Sequence, residues 1–448
     1  MRDRRRQASV GLDEPVAACH ARGARAPALG DTGAMTIDPD ALARDAAAVQ
    51  EDVVALRRAI HRDPELELAL PRTQRRVLEA LDGLPLTVRT GTAQSSIVAD
   101  LDGGAPGPTV VLRADMDALP MPEDTGLDYA SAVDGAMHAC GHDAHTAMLV
   151  GAARILAGRR GELAGRVRFF FQPGEEGHGG AEIALREGLL EASDGGERAS
   201  WAFAIHQSPS YPAGMVATRP GPIMASADTF EVIVRGRGGH ASMPHQAADP
   251  IPVACEIVGA LQTFVTRQVD VFDPAVMTVA RIAAGTVSNV IPETALLEGT
   301  MRAVSAEARD RVNDGLVRVA TNVAAAHDMT AEVQIRPGYP VTVNHRVPAA
   351  EVLELARRLV GERRTYEMPT PVMGAEDFSY LIEEVPGAMA FLGTRPSGAA
   401  PAQVAPNHSN RMVIDEASLG TGVALYAAVA LDRLAPARAA SAAGAAPG

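Results

Sequence analysis

Two short stretches of the chain bring together residue types that could hold a metal ion and hydrolyse a bond. Met137–His145 contains a thiol, three imidazoles and a carboxylate within nine positions. Phe169–Gly177 is an apolar segment that runs into two adjacent acids, Glu175 and Glu176. Thiolates, imidazoles and carboxylates are the usual ligands of zinc and similar ions in hydrolases. The two stretches therefore predict a metal-assisted hydrolase.

The spacing within each stretch suggests which residues bind the metal and which one acts as the base. Cys140 and His142 lie two positions apart in a glycine-containing turn that enters a helix, and such a turn can direct both side chains at one ion. Glu175 and Glu176 diverge on an extended backbone, so one can bind the metal while the other acts as general base toward the attacking water. For Cys140 and His142 the alternative is a buried cysteine beside surface histidines. For Glu175 and Glu176 it is a solvated acidic turn.

Four further positions could complete the site. Asp117 shares a strand face with Asp115; it either binds the metal or orients a ligand imidazole, and we favour the orienting role over a helix N-cap. His206 follows a buried strand and His408 lies in a loop, where each by itself is more often a satisfied polar residue. His240 ends a glycine-rich segment that lacks dinucleotide-binding spacing, and it could reach a substrate carbonyl.

The composition excludes several classes of protein. The formal net charge of -14 argues against nucleic acid or an anionic membrane as the main partner. No apolar run approaches the roughly 20 residues that span a bilayer, so a soluble chain is expected. Three cysteines predict no disulfide framework and fit a reducing, cytoplasmic location. All 41 basic residues are arginine, which excludes a Schiff-base lysine, a phosphate-loop lysine and a carbamoylated lysine between two metals.

The apolar pattern predicts an α/β fold with a second domain inserted into it. Helices and short buried strands alternate before and after the insertion, whose elements follow the β-α-β-β-α-β order of a ferredoxin-like sandwich. The predicted helices are 40–61, 71–81, 142–156, 250–267, 306–327, 352–360 and 416–434. The predicted strands are 96–100, 109–113, 166–172, 201–205, 228–235, 276–283, 295–303, 331–335 and 388–392, with a turn at 103–108. The predicted domains are 37–222 with 338–435, and 223–337, between a disordered extension at 1–36 and a disordered tail at 436–448.

Six motifs occur in an order that resembles one enzyme family. They are Cys140–His145, Gln172–Gly177, Gly238–His245, Ser288–Pro292, Gly374–Phe378 and Asn407–Ser409. The chain resembles the metal-dependent amidohydrolases that include hippurate hydrolase, N-acyl-amino-acid amidohydrolases and plant auxin-conjugate hydrolases. These enzymes are related to aminoacylase and carboxypeptidase G. The resemblance covers about Asp45 to Leu434.

The resemblance implies a zinc-peptidase-like catalytic domain with a mixed central sheet, and a ferredoxin-like lid domain through which members commonly dimerise. A homodimer is therefore expected. It also implies two divalent ions per chain, Mn²⁺ or Zn²⁺ before Co²⁺ or Ni²⁺. The ligands that it implies are Cys140, as the bridge between the ions, and His142, Glu176, His206 and His408.

The same resemblance implies the remaining roles. Glu175 matches the general base, and His240 matches the lid histidine that stabilises the oxyanion, often across a dimer interface. Asn289 and Arg302 lie where the lid contacts the substrate. Relatives of the carboxypeptidase-G type have an aspartate where this chain has Cys140, and a His-x-Asp motif at 115–117, so the ligand set resembles the hippurate-hydrolase branch. A bridging thiolate leaves the identity of the metal open.

The expected reaction is metal-dependent hydrolysis of the amide bond of an N-acyl amino acid. The acyl group is aroyl, aryl-acetyl or acetyl, and the products are a carboxylic acid and a free amino acid. A dipeptidase or exopeptidase with the same site is the alternative. A non-catalytic binding protein is disfavoured by the complete ligand set, and a serine hydrolase by the lack of a Gly-x-Ser-x-Gly motif.

Overall fold

A computed structural model describes residues 37–192 and 197–436. The predicted extension, 1–36, and residues 437–448 of the predicted tail lie outside the described residues. The helices are α1 (Pro39–Arg62), α2 (Pro71–Leu81), α3 (His142–Gly158), α4 (Gly180–Arg186), α5 (Pro250–Gln268), α6 (Ala306–Ala326), α7 (Arg346–Val360), α8 (Ser379–Glu384) and α9 (Leu419–Arg433). None of these helices in the described ranges is long and apolar enough to cross a bilayer.

The described residues form sixteen strands, most of which belong to two main sheets. They are β1 (Thr87–Thr90), β2 (Ile97–Asp102), β3 (Ala105–Asp115), β4 (Ala164–Gln172), β5 (Trp201–Pro212), β6 (Val216–Thr218), β7 (Gly221–Met224), β8 (Asp228–Arg235), β9 (Gly239–His240), β10 (Ala275–Ala284), β11 (Val290–Ile291), β12 (Thr294–Ala303), β13 (Thr330–Pro337), β14 (Thr342–Asn344), β15 (Thr365–Glu367) and β16 (Gly387–Arg395). The larger sheet has the order β1-β2-β4-β3-β5-β16-β6-β15. Its neighbours β4, β3, β5 and β16 are parallel, while β2 runs antiparallel to β4. The carboxyl ends of β3, β4 and β5 therefore meet at one edge, where open α/β sheets place their ligands.

Each face of the larger sheet has its own hydrophobic core. Phe169 and Phe171 of β4 pack with residues of α1, α3, α7 and α9. Phe170, between them, belongs to the opposite core with residues of α4 and α8. Successive side chains of a strand point to opposite faces, so a strand covered on both sides is apolar at every position. This explains the uninterrupted run of phenylalanines and fixes the direction in which β4 delivers the acids that follow it.

A buried ion network ties α1 to the start of α3. Asp143, the second residue of α3, lies 2.8 Å from His61 Nδ1 and 2.7 Å from Arg57 Nε. His61 Nε2 lies 3.2 Å from Glu123, and Arg57 Nη1 lies 3.0 Å from Glu416. Although burial opposes ionisation, Arg57 and His61 hold the pKa of Asp143 far below its ordinary value. The network therefore fixes the end of α3 that begins with His142.

The smaller sheet has the strand order β10-β12-β8-β13, and every neighbouring pair is antiparallel. Buried residues of these strands form one core with residues of α5 and α6. This order confirms the predicted ferredoxin-like arrangement. With the mixed eight-stranded sheet, it confirms the predicted fold class.

Several predicted boundaries were wrong. α7 begins at Arg346, six residues before the predicted start, because Pro348 lies in its first turn, where the missing proline N–H costs no helical hydrogen bond. β3 begins at Ala105, inside the predicted 103–108 turn. α9 begins at Leu419, after a separate 3-10 turn at Glu416–Ser418 that is capped from Asp415.

Candidate metal centre

The turn between Cys140 and His142 requires the glycine between them. Gly141 has φ +83°, in the left-handed region that other residues avoid. A Cβ at Gly141 would also lie 2.6 Å from the side chain of Gln207, whose Nε2 donates a hydrogen bond to the Cys140 carbonyl at 2.7 Å. The chain then enters α3 at His142. Backbone conformation and close packing thus hold the thiol and the imidazole on the same turn.

Cys140, His142 and His206 form the first part of the cluster. The Cys140 Sγ lies 3.3 Å from His206 Nε2, and one ligand atom from each of the three residues lies within 4.8 Å of the others. His206 Nδ1 lies 2.6 Å from the Gln207 carbonyl oxygen, and donation there leaves the Nε2 lone pair for an ion. β5 continues to Pro212, so the prediction that His206 follows the end of a strand was wrong.

Asp117 holds the loop that carries the two glutamates. Its carboxylate accepts the backbone N–H groups of Glu175 at 3.0 Å and Glu176 at 2.9 Å. The same carboxylate lies 3.5 Å from His142 Nδ1. His142 Nε2 then faces the acids, 3.9 Å from Glu175 and 3.8 Å from Glu176. Asp117 therefore contacts the histidine and both glutamates at once, which supports the predicted orienting role.

His408 closes the cluster on its solvent side. Its Nε2 lies 3.3 Å from Glu176 Oε1, and Cys140, Glu176 and His408 have ligand atoms within 4.8 Å of one another. The His408 side chain is 56% exposed, and its backbone has φ +65°. A non-glycine residue in this region is uncommon and persists where its surroundings fix it, often at functional sites. The hydrogen bond from the His408 N–H to the Ala139 carbonyl, 2.9 Å long, supplies part of that fixation.

Carboxylates outnumber cations behind Glu175. Ligand oxygens of Glu175, Glu376 and Asp377 lie within 4.8 Å of one another, and Arg113 reaches Glu376 at 2.9 Å and Asp377 at 3.0 Å. Burial, reinforced by the Glu376 and Glu176 carboxylates, raises the pKa of Glu175 well above its ordinary value. Burial also raises the pKa of Asp377 to about 8, although Arg113 opposes this. The site has an excess of negative charge that a divalent cation would offset.

The donor atoms fit such a cation. Both nitrogens of His142 are buried and have no hydrogen-bond partner in the described part of the chain, which is costly for a polar group without an ion. Burial and the nearby Glu176 raise the pKa of the Cys140 thiol well above its ordinary value. A coordinated metal reverses this effect because it deprotonates the thiol. Sulfur, imidazole and carboxylate donors together suit zinc and its neighbours in the first transition series.

Two other histidines near the cluster differ in whether their ring nitrogens have hydrogen-bond partners. His145 Nδ1 lies 2.5 Å from Asp115 Oδ1, and its Nε2 accepts the Gln207 N–H at 2.7 Å, so both nitrogens are used. His138 is buried, and neither of its nitrogens has a hydrogen-bond partner among the residues described. Burial lowers the pKa of His138 to about 3, so its imidazole is neutral. His145 shares a group of potential ligands with Asp115 and His142, whereas His138 belongs to none of the groups found among the described residues.

His240, Asn289 and Arg302 lie in the region of the smaller sheet. His240 pairs with Val290 between β9 and β11, and the Ala241 N–H donates to the Asn289 carbonyl at 3.1 Å. His240 and Asn289 line one cavity of about 500 Å³. Arg302 lies apart from it, half-buried on β12. Within residues 37–192 and 197–436, no hydrogen bond or ion pair joins these three residues to the metal-binding cluster.

Sequence spacing did not identify several residues that contact the site. Arg113, Glu376 and Asp377 form the charged layer behind Glu175, and the Tyr339 hydroxyl bonds to the Glu175 carbonyl. One available signal was Arg113 itself, because an arginine inside an apolar strand must find buried acidic partners. The Gly374–Phe378 motif was recognised without a role for its two acids.

Comparisons with known proteins agree with this geometry. The sequence profile of Peptidase family M20/M25/M40 matches residues 111–432. Thermostable carboxypeptidase 1 of Saccharolobus solfataricus is 38% identical over 394 residues, which cover 87% of this chain and 97% of that protein. N-acetylcysteine deacetylase of Bacillus subtilis is 38% identical over 343 residues, which cover 76% of this chain and 88% of that protein.

A solved structure shares the fold. A Bacillus subtilis protein described as a dinuclear metal binding peptidase from the M20 family superimposes with a TM-score of 0.74 at 34% identity, and the match covers 87% of this chain and 99% of that one. The family match, which spans the cluster from Cys140 to His408, confirms the predicted resemblance and the predicted class of enzyme. The chain belongs to Peptidase family M20/M25/M40 and is a metal-dependent amidohydrolase.

Proposed function

We propose that the protein hydrolyses the amide bond of N-acyl amino acids, with an aroyl, aryl-acetyl or acetyl group on the nitrogen, and releases a carboxylic acid and a free amino acid. The observation that carries this proposal is the convergence of sulfur, nitrogen and oxygen donors beside a buried glutamate, Glu175. The deacetylase name of one relative supports an N-acyl substrate.

Glu175 has the properties of the general base in this reaction. It removes a proton from the attacking water and then passes that proton to the nitrogen of the departing amino acid. Burial and the adjacent carboxylates raise the pKa of Glu175, which is the direction that favours acceptance of a proton. Asp117 keeps the Glu175 backbone in place, and Arg113 balances part of the charge behind it through ion pairs with Glu376 and Asp377.

We propose that Cys140, His142, Glu176, His206 and His408 would hold the metal ions, with Cys140 as the shared ligand and the other four as terminal ligands, as the family resemblance implies. Two divalent ions, Mn²⁺ or Zn²⁺ before Co²⁺ or Ni²⁺, would supply Lewis acidity for the carbonyl oxygen and lower the pKa of a water molecule there. The dinuclear description of the B. subtilis relative supports two ions.

His240 is the proposed donor to the oxyanion. Its Nδ1 accepts a hydrogen bond from the Ser242 N–H at 3.2 Å, and the Ser242 hydroxyl oxygen lies 2.9 Å from the same nitrogen. A neutral imidazole with an accepting Nδ1 carries its proton on Nε2, which is the form that can donate to a developing negative charge. Asn289, on the same cavity, is a second polar group for the substrate.

Arg302 is the proposed partner of the substrate carboxylate. Its guanidinium is half-buried, and it forms no ion pair within the ranges that the structure describes. A chain with a net charge of -14 repels an anionic substrate unless a cation is set aside for it. The guanidinium of Arg302, which has no ion-pair partner within those ranges, is available to bind the substrate carboxylate.

We also propose a homodimer formed through a lid domain at 223–337, with 37–222 and 338–435 as the catalytic domain. β10 is an edge strand of the smaller sheet, and Val276 and Ile282 on it are 45% and 52% exposed. Phe272, in the turn before this strand, is 93% exposed. An exposed apolar edge strand of this kind is a template for pairing with a second copy. The small number of cysteines supports a cytoplasmic location.

The test is hydrolysis of a panel of N-acyl amino acids by protein that has been stripped with chelator and then resupplied with one metal at a time. We expect activity with Mn²⁺ or Zn²⁺ on at least one acyl class, measured as release of free amino acid. No turnover of any N-acyl amino acid, despite two ions bound per chain, would overturn the proposal.

A dipeptidase or exopeptidase activity is the second candidate, because the carboxypeptidase of Saccharolobus solfataricus is as similar as the deacetylase. The same panel includes dipeptides for this reason. A value of kcat/KM at least tenfold higher for dipeptides than for N-acyl amino acids would favour the second candidate.

A further inference from the structure

The Tyr339 hydroxyl makes all its hydrogen bonds to one loop, residues 175–179. It donates to the Glu175 carbonyl oxygen at 2.6 Å and accepts the N–H groups of Gly177 at 2.9 Å and Gly179 at 3.2 Å. A phenol has one donor and two acceptor positions, so these three bonds exhaust it. Burial, with the Asp377 and Glu175 carboxylates, raises the pKa of Tyr339, so the hydroxyl keeps its proton.

The loop that Tyr339 binds is the one that carries both glutamates. Gly177 has φ +91° and Gly179 has φ +65°, and these left-handed conformations allow both amides to reach one oxygen. A Cβ at Gly177 would meet no atom within 4 Å, so glycine is needed there for its backbone conformation rather than for space. The loop is thus held from two sides, by the Asp117 carboxylate and by the Tyr339 hydroxyl.

Tyr339 lies where the two connections between the sheets touch. Its carbonyl accepts the N–H of Ala227, at 2.9 Å, and Ala227 belongs to the connection from β7 to β8. Gly338 packs directly on that connection, because a Cβ there would lie 2.2 Å from the Ala227 carbonyl oxygen. The Gly338 N–H also donates to Asp228, the first residue of β8, at 3.0 Å. A displacement of the smaller sheet would therefore be transmitted to Tyr339.

We infer that Tyr339 is a positioning residue that couples the smaller sheet to the glutamate loop. This inference rests on the proposed metal site, since the loop matters for binding only if Glu176 is a ligand. The hydroxyl sets the backbone of Glu175 and Glu176, while the Tyr339 backbone follows the connections to the lid. The position of the lid then determines how well the base and the ligand are placed.

The test compares Tyr339→Phe with a matched control, Tyr380→Phe. The Tyr380 ring lies 6.1 Å from that of Tyr339, and its hydroxyl approaches the Gly338 carbonyl at 3.5 Å, so it belongs to the same junction without bonding to the loop. Chelator-stripped protein is titrated with Mn²⁺ and with Zn²⁺ in a calorimeter. The metal-loaded forms are assayed for kcat and KM, and thermal unfolding of the metal-free forms is recorded.

We expect Tyr339→Phe to weaken binding of one ion per chain by roughly tenfold or more, as partners that support metal ligands commonly do. The value of kcat falls with it, KM changes less than twofold, and Tyr380→Phe matches the wild type. Unchanged metal affinity and kcat in Tyr339→Phe would overturn the inference. So would a lower unfolding temperature with unchanged metal affinity, because the tyrosine would then only stabilise the fold.

The two proposals fail in different ways. If the wild-type enzyme does not hydrolyse N-acyl amino acids, the proposed function fails, but the metal titrations of the two variants still decide the role of Tyr339. If the wild type is active and the two variants bind metal equally well, only the inference about Tyr339 fails.

Discussion

The buried cluster and the segment that carries His240 would serve one reaction, yet the fold treats them differently. Cys140 and His206 are 6% exposed and His142 is 0% exposed, and the tautomer of His206 is fixed by a backbone carbonyl. His240 and Asn289 are exposed, and the hydrogen bonds of the His240 ring come from Ser242 alone among the residues described.

The difference indicates where each region obtains its stabilisation. Burying unpartnered donors such as His142 is unfavourable until a cation binds, so the cluster is complete only with its metal. The exposed His240 has no such requirement, and its proposed role arises only when a substrate is present. Changes in the cluster should therefore alter metal affinity, whereas changes at His240 should alter turnover and leave metal binding intact.

The largest expected effect is that of Glu175→Gln. Loss of the general base should lower kcat by about 10³-fold. Metal content, measured by atomic absorption, should stay within the wild-type range, because Glu175 is not a proposed ligand. Glu182→Gln, on α4, is the matched control and should keep normal activity. Substantial activity in Glu175→Gln would eliminate the proposed mechanism.

The next largest effect is expected from replacement of Cys140, the proposed bridging ligand. Cys140→Ala should weaken metal binding by about 10²-fold, since the loss of a supporting partner alone costs roughly 10- to 100-fold. Cys255→Ala offers a matched control, because Cys255 is an exposed free cysteine on α5. Calorimetric titration of the two metal-free variants is the measurement. Equal affinities would show that Cys140 does not bind the metal.

The comparison also explains what sequence could predict. The β-α-β-β-α-β order followed from apolar periodicity, because local spacing determines which face of an element is buried. The start of α2 followed from Pro71, since proline is favoured in the first turn of a helix. The short strands β1, β6, β7, β14 and β15 were not predicted, since three or four residues carry too little pattern. The charged layer of Arg113 and Asp377 was missed as well, because its partners are 264 positions apart and only the fold brings them together. His206 was placed after its strand because the apolar run of that strand ends at Ile205.

His240→Ala should lower kcat by about 10²-fold, the cost of removing one donor to an oxyanion. Metal affinity should remain that of the wild type, in contrast to Cys140→Ala. His327→Ala is the control, because His327 is also exposed and, within the described ranges, its ring bonds only to Glu256, at 2.7 Å. A weaker metal affinity in His240→Ala would break the distinction between the two regions.

The smallest expected effects concern two buried carboxylates, Asp143 behind the cluster and Asp228 at the base of the smaller sheet. Both have a pKa below the ordinary value despite burial, Asp143 because of Arg57 and His61, and Asp228 because of Arg309. Replacement of either by Asn should lower the free energy of unfolding at pH 7 by about 2 kcal/mol. A depressed pKa stabilises the fold above the unfolded pKa, near 3.9, and this contribution is lost as pH falls through the folded pKa.

The stability of the two variants at alkaline pH should distinguish Asp143 from Asp228. His61 beside Asp143 has a raised pKa, although burial opposes it, so its contribution is complete below about pH 6.5 and is lost as pH rises through the folded pKa. Arg309 stays charged throughout. Urea unfolding of the metal-free proteins from pH 3 to 9 should therefore give a stability difference for Asp143→Asn that shrinks at both ends of the range. The difference for Asp228→Asn should shrink only at the acid end, and the same profile for both variants would contradict the assignment of His61 as a charged partner.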